Sequence, residues 1–168
     1  MRSTATRLSC GTGIRATRAA SLDRVELRVS RLREEATLPT RAHAGDAGLD
    51  LHAAEAATLA PGDRASVDTG IAVELPEGHA GLVLPRSGLA SKRGLTLANA
   101  PGLIDAGYRG EVICAVVNLD PHEAVEIAAG DRIAQLVIVA VPAMSPVFVE
   151  ELPASTRGTG GFGSTGVS

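Results

Sequence analysis

Residues 69–84 read Thr-Gly-Ile-Ala-Val-Glu-Leu-Pro-Glu-Gly-His-Ala-Gly-Leu-Val-Leu. Ile71, Val73 and Leu75 alternate with Ala72 and Glu74, the period of two expected of a strand with one buried face. Pro76-Glu77-Gly78 breaks the pattern, because proline fixes φ and glycine frees it. Apolar residues then resume at Leu82 to Leu84. Working outward, Val25, Leu27 and Val29 repeat the alternation, and Pro61-Gly62-Asp63, Asp120-Pro121 and Gly130-Asp131 supply further turns between apolar runs. The runs Leu82 to Leu84, Val112 to Val117 and Ile133 to Val141 suit strands buried on both faces. Many short strands at close spacing predict an all-β sandwich or barrel. One helical turn is expected at Ser87 to Lys92, with Ser87 as its N-cap.

The chain has 168 residues, 45% of them hydrophobic, enough for one well-buried core and too few for two ordinary domains. No apolar run approaches the roughly 20 residues needed to cross a bilayer, so the protein is expected to be soluble. Its two cysteines, Cys10 and Cys114, suggest no disulfide framework and fit a reducing cytoplasm. Cys114 lies inside an apolar run, where a core role is more natural than a nucleophilic one. The net charge is -3, yet residues 1–22 carry Arg2, Arg7, Arg15 and Arg18 and no acid. The remaining body is therefore acidic, which argues against a general nucleic-acid surface. Residues 1–24 read as a disordered basic extension, 25–152 as the β domain, and 153–168 as a flexible glycine-rich arm.

Only three aromatic residues occur, and two of them, Tyr108 and Phe162, stand in glycine-rich loops. Rings so placed suit stacking on a base or sugar, or else pin the loop to the body. Pro85-Arg86-Ser87-Gly88 ends a strand and opens a helical turn, bringing backbone N–H groups, a hydroxyl and a guanidinium to one point. Gly158 to Gly166, preceded by Arg157, offers a second loop of exposed amides. Neither is a Walker motif. Two such loops in one small protein suggest a polyphosphate. Asp105 lies in Pro101-Gly102-Leu103-Ile104-Asp105-Ala106-Gly107, where burial would favour a positioned base, and Asp50 stands in a similar setting. The alternative for both is turn-making. The four histidines are scattered without zinc-ligand spacing.

In order, these segments resemble the five motifs of the trimeric deoxyuridine triphosphatase (dUTPase) family: Ala44 to Leu51, Pro85 to Ala90, Asn99 to Glu111, Gly130 to Leu136 and Arg157 to Gly166. The resemblance implies a jelly-roll fold and a homotrimer whose sites are each built from three chains. It implies hydrolysis of dUTP to dUMP and pyrophosphate, limiting uracil incorporation into DNA and supplying dUMP for dTMP synthesis. Asn99 and the backbone of the loop from Asn99 to Tyr108, Gly102 included, would bind uracil, and Tyr108 would pack on the deoxyribose. Asp105 would deprotonate the water that attacks the α-phosphorus. Arg86, Ser87, Gly88 and Gln135 would serve the phosphates. Asp50 would act through water on Mg2+ held chiefly by the triphosphate. Arg157, Phe162, Gly163 and Ser164 of the arm would close over the nucleotide. Ala100 stands where many members have serine. A dCTP deaminase shares the fold and an Arg-Ser phosphate motif, but it needs a catalytic glutamate in its own motif context, and none is present. A catalytically silent nucleotide sensor on this fold is disfavoured by Asp105 and the complete arm.

Overall fold

The computed structural model describes residues 26–156, 158 and 159. The expected basic extension and most of the expected arm lie outside the described residues. Eleven strands and one short helix make up the body. The strands are β1 (Arg28–Arg31), β2 (Leu49–His52), β3 (Ala57–Leu59), β4 (Arg64–Asp68), β5 (Ile71–Glu74) and β6 (His79–Pro85), followed by helix α1 (Ser87–Arg93). After the helix come β7 (Leu95–Leu97), β8 (Gly102–Asp105), β9 (Ile113–Asn118), β10 (Val125–Ile127) and β11 (Arg132–Ala140). No described helix is long and apolar enough to cross a membrane.

Every ladder is antiparallel, and none joins consecutive strands. Instead β2 pairs with β11, β3 with β10 and β4 with β9, a nested order in which the first half of the body runs back along the second. That is a long double-stranded ribbon wrapped on itself, the jelly-roll arrangement. The wrapped ribbon gives a four-stranded sheet, β2-β11-β6-β8, a three-stranded sheet, β4-β9-β7, and two small ribbons. The sheets stay open, so of the two expected architectures the sandwich forms and a closed barrel does not. Leu51, Val83 and Leu136 of the larger sheet share one buried cluster with Val67, Leu97 and Val116 of the smaller.

Two expectations need correction. The runs expected to be buried on both faces instead alternate: β9 hides Cys114, Val116 and Asn118 and turns Ile113 outward. In β6 and β11 the outward residues Leu82, Leu84 and Val137 are only half-covered. Antiparallel sheets commonly keep one face outside the core, and here that face is apolar. Ser87 is not the N-cap of α1; Arg86 holds that position with no side-chain capping bond, and Ser87 is the first helical residue. The helix ends at Gly94, whose φ of 64° and lack of a side chain are both required, since a Cβ there would lie 2.4 Å from the Asp120 backbone nitrogen.

The one fully buried amide of the core, Asn118, ties three segments. Its Nδ2 donates to the carbonyls of Leu59 (3.1 Å) and Glu123 (2.9 Å), and its Oδ1 accepts from the Asp120 N–H (2.9 Å). Asn118→Leu leaves those groups without partners, at a cost of about 3 kcal/mol. Urea unfolding at fixed protein concentration should show the midpoint falling accordingly.

Candidate active site

The ladder register brings three quoted motifs together. Gln135 of β11 lies opposite Asp50 of β2 on one side and Leu84 of β6 on the other, so their side chains share one face of the sheet. One residue past the end of β6, Arg86 donates from Nε to Asp50 Oδ1 at 3.0 Å. Arg132 Nη1 donates to Asp50 Oδ2 at 3.2 Å. Asp50 is largely buried and carries a guanidinium on each oxygen, so its direct role in the chain is to aim two arginines. Arg132 was not singled out from the sequence, although it lies within the Gly130 to Leu136 motif. The pairing with Asp50 needed the β2–β11 register to become visible.

Asp50, Arg86, Ser87, Gly88 and Gln135 line a single cleft of about 550 Å³, joined by Lys92 from the last turn of α1. First-turn N–H groups of a helix have no intrahelical partners, so Ser87 and Gly88 are placed to donate to an anion. Gln135 Nε2 donates to the Pro85 carbonyl at 2.9 Å, which fixes its amide at the cleft wall. Gly48 makes that placement possible, because a Cβ on it would meet Gln135 Oε1 at 2.5 Å. Behind Asp50, the Nδ1 of His52 is buried without a protein partner. Burial holds the His52 imidazole below its ordinary pKa, against the pull of Asp50, and the nearby Arg132 and Arg86 add to the effect. His52 is therefore a neutral neighbour of the arginine pair.

The second group of expected residues, Asn99, Gly102, Asp105 and Tyr108, lines a different cleft of about 190 Å³, walled by Val83, Leu97 and Cys114. Gly102 lies against Asn99 and Val83, where a Cβ would make ordinary contact at 3.4 Å with Asn99 Nδ2 and Val83 Cβ. Burial raises the Cys114 thiol to about 12, so it is wall and not nucleophile. Asp105 departs from expectation. It is exposed, because β8 is an edge strand whose inward residues are Gly102 and Ile104, and Leu103 and Asp105 point outward. The local sequence is apolar, but the alternation of the strand turns the carboxylate away from it. Arg157, Phe162, Gly163 and Ser164 lie outside the described residues.

The two clefts share no residue. Asp105 lies opposite Ala80 in the β6–β8 ladder, and from Ala80 to Arg86 the strand covers roughly 20 Å. One chain thus holds the two clefts apart. The family model described as dUTPase matches residues 34–166. The chain belongs to the dUTPase family. It is 57% identical over 143 residues to the deoxyuridine 5'-triphosphate nucleotidohydrolase of Thermobifida fusca, covering 85% of this chain and 79% of that one. To the enzyme of the same name from Corynebacterium glutamicum it is 54% identical over 144 residues, covering 86% and 97%. Among solved structures it is similar to the dUTPase of Staphylococcus bacteriophage 80alpha with dUPNHPP, at a TM-score of 0.79 and 36% identity, covering 84% of this chain and 99% of that one. A dUTPase from phage phi11 of S. aureus, described with a structural Mg(II) ion, matches at a TM-score of 0.71 and 34% identity, covering 76% and 98%. As a member of the family this chain is a dUTP diphosphatase, producing dUMP and pyrophosphate.

The contact between Gly48 and Gln135 is open to test. Gly48→Ala should push the Gln135 amide off the Pro85 carbonyl and lower kcat/KM for dUTP about tenfold, the worth of one hydrogen bond. Thermal unfolding should move little, since the displaced group is the end of a flexible side chain.

Proposed function

We propose that the chain hydrolyses magnesium-bound dUTP at its α-phosphorus, in homotrimeric sites that join the Asp105 cleft of one copy to the phosphate cleft of another. The observation that carries this reading is the β6–β8 register, which separates Asp105 from Arg86 within a chain. The outward face between them supports assembly, because Leu82, Leu103 and Val137 occupy positions that a sheet facing water would give to polar residues. So does the segment after β11, where Met144, Val147, Phe148 and Leu152 are exposed and no strand pairing forms.

In this reading the Asn99 to Tyr108 hairpin receives the uracil and sugar. Asn99 and the backbone beside Gly102 bind the base edge, and Tyr108 packs on the deoxyribose. Asp105 accepts a proton from a water whose oxygen bonds to the α-phosphorus. The bond from that phosphorus to the bridging oxygen breaks, and pyrophosphate leaves. Ser87, Gly88 and Gln135 hold the phosphates, with Arg86 aimed by Asp50. Magnesium enters as part of the substrate. Among the described residues no three acidic, histidine or cysteine side chains are grouped so that they could hold a metal ion, and Mg2+ can instead be borne by phosphates and water. Asp50, the one carboxylate within the phosphate wall's ion pairs, would meet it through water. The arm, residues 153–168, would supply Arg157, Phe162, Gly163 and Ser164 to cover the nucleotide. The buried free thiol of Cys114 fits a reducing compartment, and we assign the enzyme to the cytoplasm.

Hydrolysis in heavy-oxygen water should put the label in dUMP and none in pyrophosphate. Label in pyrophosphate would place the attack on the β-phosphorus and remove Asp105 from its role.

Shared sites make a second prediction. Asp105→Asn keeps shape and removes the base, and truncation after Ser155 removes the arm. Each homotrimer should be nearly inactive. Trimers that contain both chains, purified through two tags, should turn over dUTP, since some sites then combine an intact Asp105 with an intact arm. Mixed trimers no more active than their parents would rule out sites shared in this way.

A further inference from the structure

Tyr108 is the residue on which sugar selection rests in the reading above, yet it is 45% exposed. The main chain after it provides its seat. The hydroxyl donates to the Glu111 carbonyl at 2.9 Å. The ring lies directly over Gly110, where a Cβ would come within 2.4 Å of the hydroxyl oxygen and 2.6 Å of Cζ. Any other residue at position 110 would lift the ring. Arg109 closes the turn beneath by donating to the carbonyls of Ala106 (2.6 Å) and Tyr108 (2.8 Å).

What fixes that main chain begins in the wall of the Asp105 cleft, which Glu111 and Val112 line, and reaches beyond it to Arg33, which lines neither cleft. The Glu111 carboxylate accepts the Gly70 N–H at 2.7 Å and stands 3.5 Å from Arg33 Nε. Arg33 also pairs with Asp68 and reaches Glu55 at 3.7 Å. Three carboxylates from three separate segments therefore converge on one guanidinium, and without it Glu55, Asp68 and Glu111 would repel one another. Two further bonds hold the same segment: the Val112 N–H donates to the Ile71 carbonyl at 2.8 Å, and buried Thr69 donates to the Val112 carbonyl at 2.6 Å. Of these contacts made by Glu111 and Val112, only the Arg33–Glu111 pair brings in the loop after β1. Arg33 stands just before the stretch that the family model matches.

We propose that Arg33, from outside the nucleotide cleft, and Glu111, from its wall, are positioning residues for Tyr108 that set discrimination between deoxyribose and ribose. This rests on the reading that Tyr108 packs against the deoxyribose. Arg33 touches neither substrate nor reacting atoms. It holds Glu111, the Glu111 carbonyl holds the tyrosine hydroxyl, and Gly110 lets the ring lie flat. A ring free to move would admit a 2′-hydroxyl that a fixed ring excludes.

The test is the ratio of kcat/KM for dUTP to that for UTP, measured on full-length variants confirmed to keep the wild-type assembly state. Arg33→Met and Glu111→Ala should each lower the ratio about tenfold, mostly through improved use of UTP, with Arg33→Lys in between because lysine keeps the charge and loses the planar fork. Gly110→Ala should lower it too, by displacing the ring directly. If Arg33 acts through the hydroxyl, Arg33→Met added to Tyr108→Phe should change the ratio no further than Tyr108→Phe alone. A ratio within twofold of wild type in folded Arg33→Met, or additive effects in that cycle, would overturn the proposal. Should Arg33→Met fail to fold, Arg33→Lys and its cycle with Tyr108→Phe decide on the same criteria. Tyr108→Ala separates the two levels: an unchanged ratio there sinks the sugar-packing reading itself, whereas a collapsed ratio beside an unchanged Arg33→Met sinks only the positioning role.

Discussion

The pairing of β11 with both β2 and β6 is the constraint on which the rest depends. The β6–β11 ladder runs without a break from Ala134–Pro85 to Ala140–His79. Its inward residues Ala134 and Leu136 are wholly buried, and Gly81 opposite Ile138 admits Leu136 Cδ1 at a distance of 3.0 Å from where a Cβ would be. Such packing specifies register strongly, since a slip by one residue would exchange the faces of the strand. Register in turn sets the site. Asp50, Gln135 and Leu84 form one cross-strand row only in this alignment, and Arg86 reaches Asp50 only because β6 ends one residue before it. The arrangement of charges at the Asp50 cleft is thus a consequence of a hydrophobic ladder.

Two ion clusters flank that framework, and they are inverted copies in charge. At one, a single carboxylate, Asp50, orients two guanidiniums. At the other, a single guanidinium, Arg33, gathers three carboxylates. Neither is a conventional stabilising pair, because partly buried ions give back in desolvation much of what they gain in attraction. Their value is geometric. The first leaves net positive charge beside the Asp50 cleft, and the second ties a loop to the segment that carries Tyr108. The three carboxylates of the second cluster stand away from the Asp50 cleft, and Glu111 among them lines the cleft of Asp105 and Tyr108.

The fold class was legible because alternation and turn residues are local. Ile71, Val73 and Leu75 are buried as their spacing requires, and turns fall at Gly62 and Gly130. Site motifs were legible as segments, and the phosphate residues from Asp50, Arg86 to Gly88 and Gln135 do meet in one cleft. What the sequence hid was set by pairing between distant strands. The Asp50–Arg132 link, the Arg33 cluster and the separation of Asp105 from Arg86 all depend on register, which no local pattern states. Asp105 shows the limit most plainly. Its neighbours Ile104 and Ala106 suggested burial, yet on an edge strand the position, and not the neighbours, decides exposure.

In the proposed reading that exposure bears on the chemistry. Asp105, at the end of β8, is open until another surface covers it. The segment from Asn99 to Tyr108 hangs on the β6–β8 ladder, and β6 contributes Val83 to one cleft and Leu84 to the other. If the Asp105 and Asp50 clefts are the two halves of one site, dividing them between the ends of one sheet means that neither could carry out hydrolysis alone, and water near the base would be positioned for attack only where two surfaces meet around the substrate.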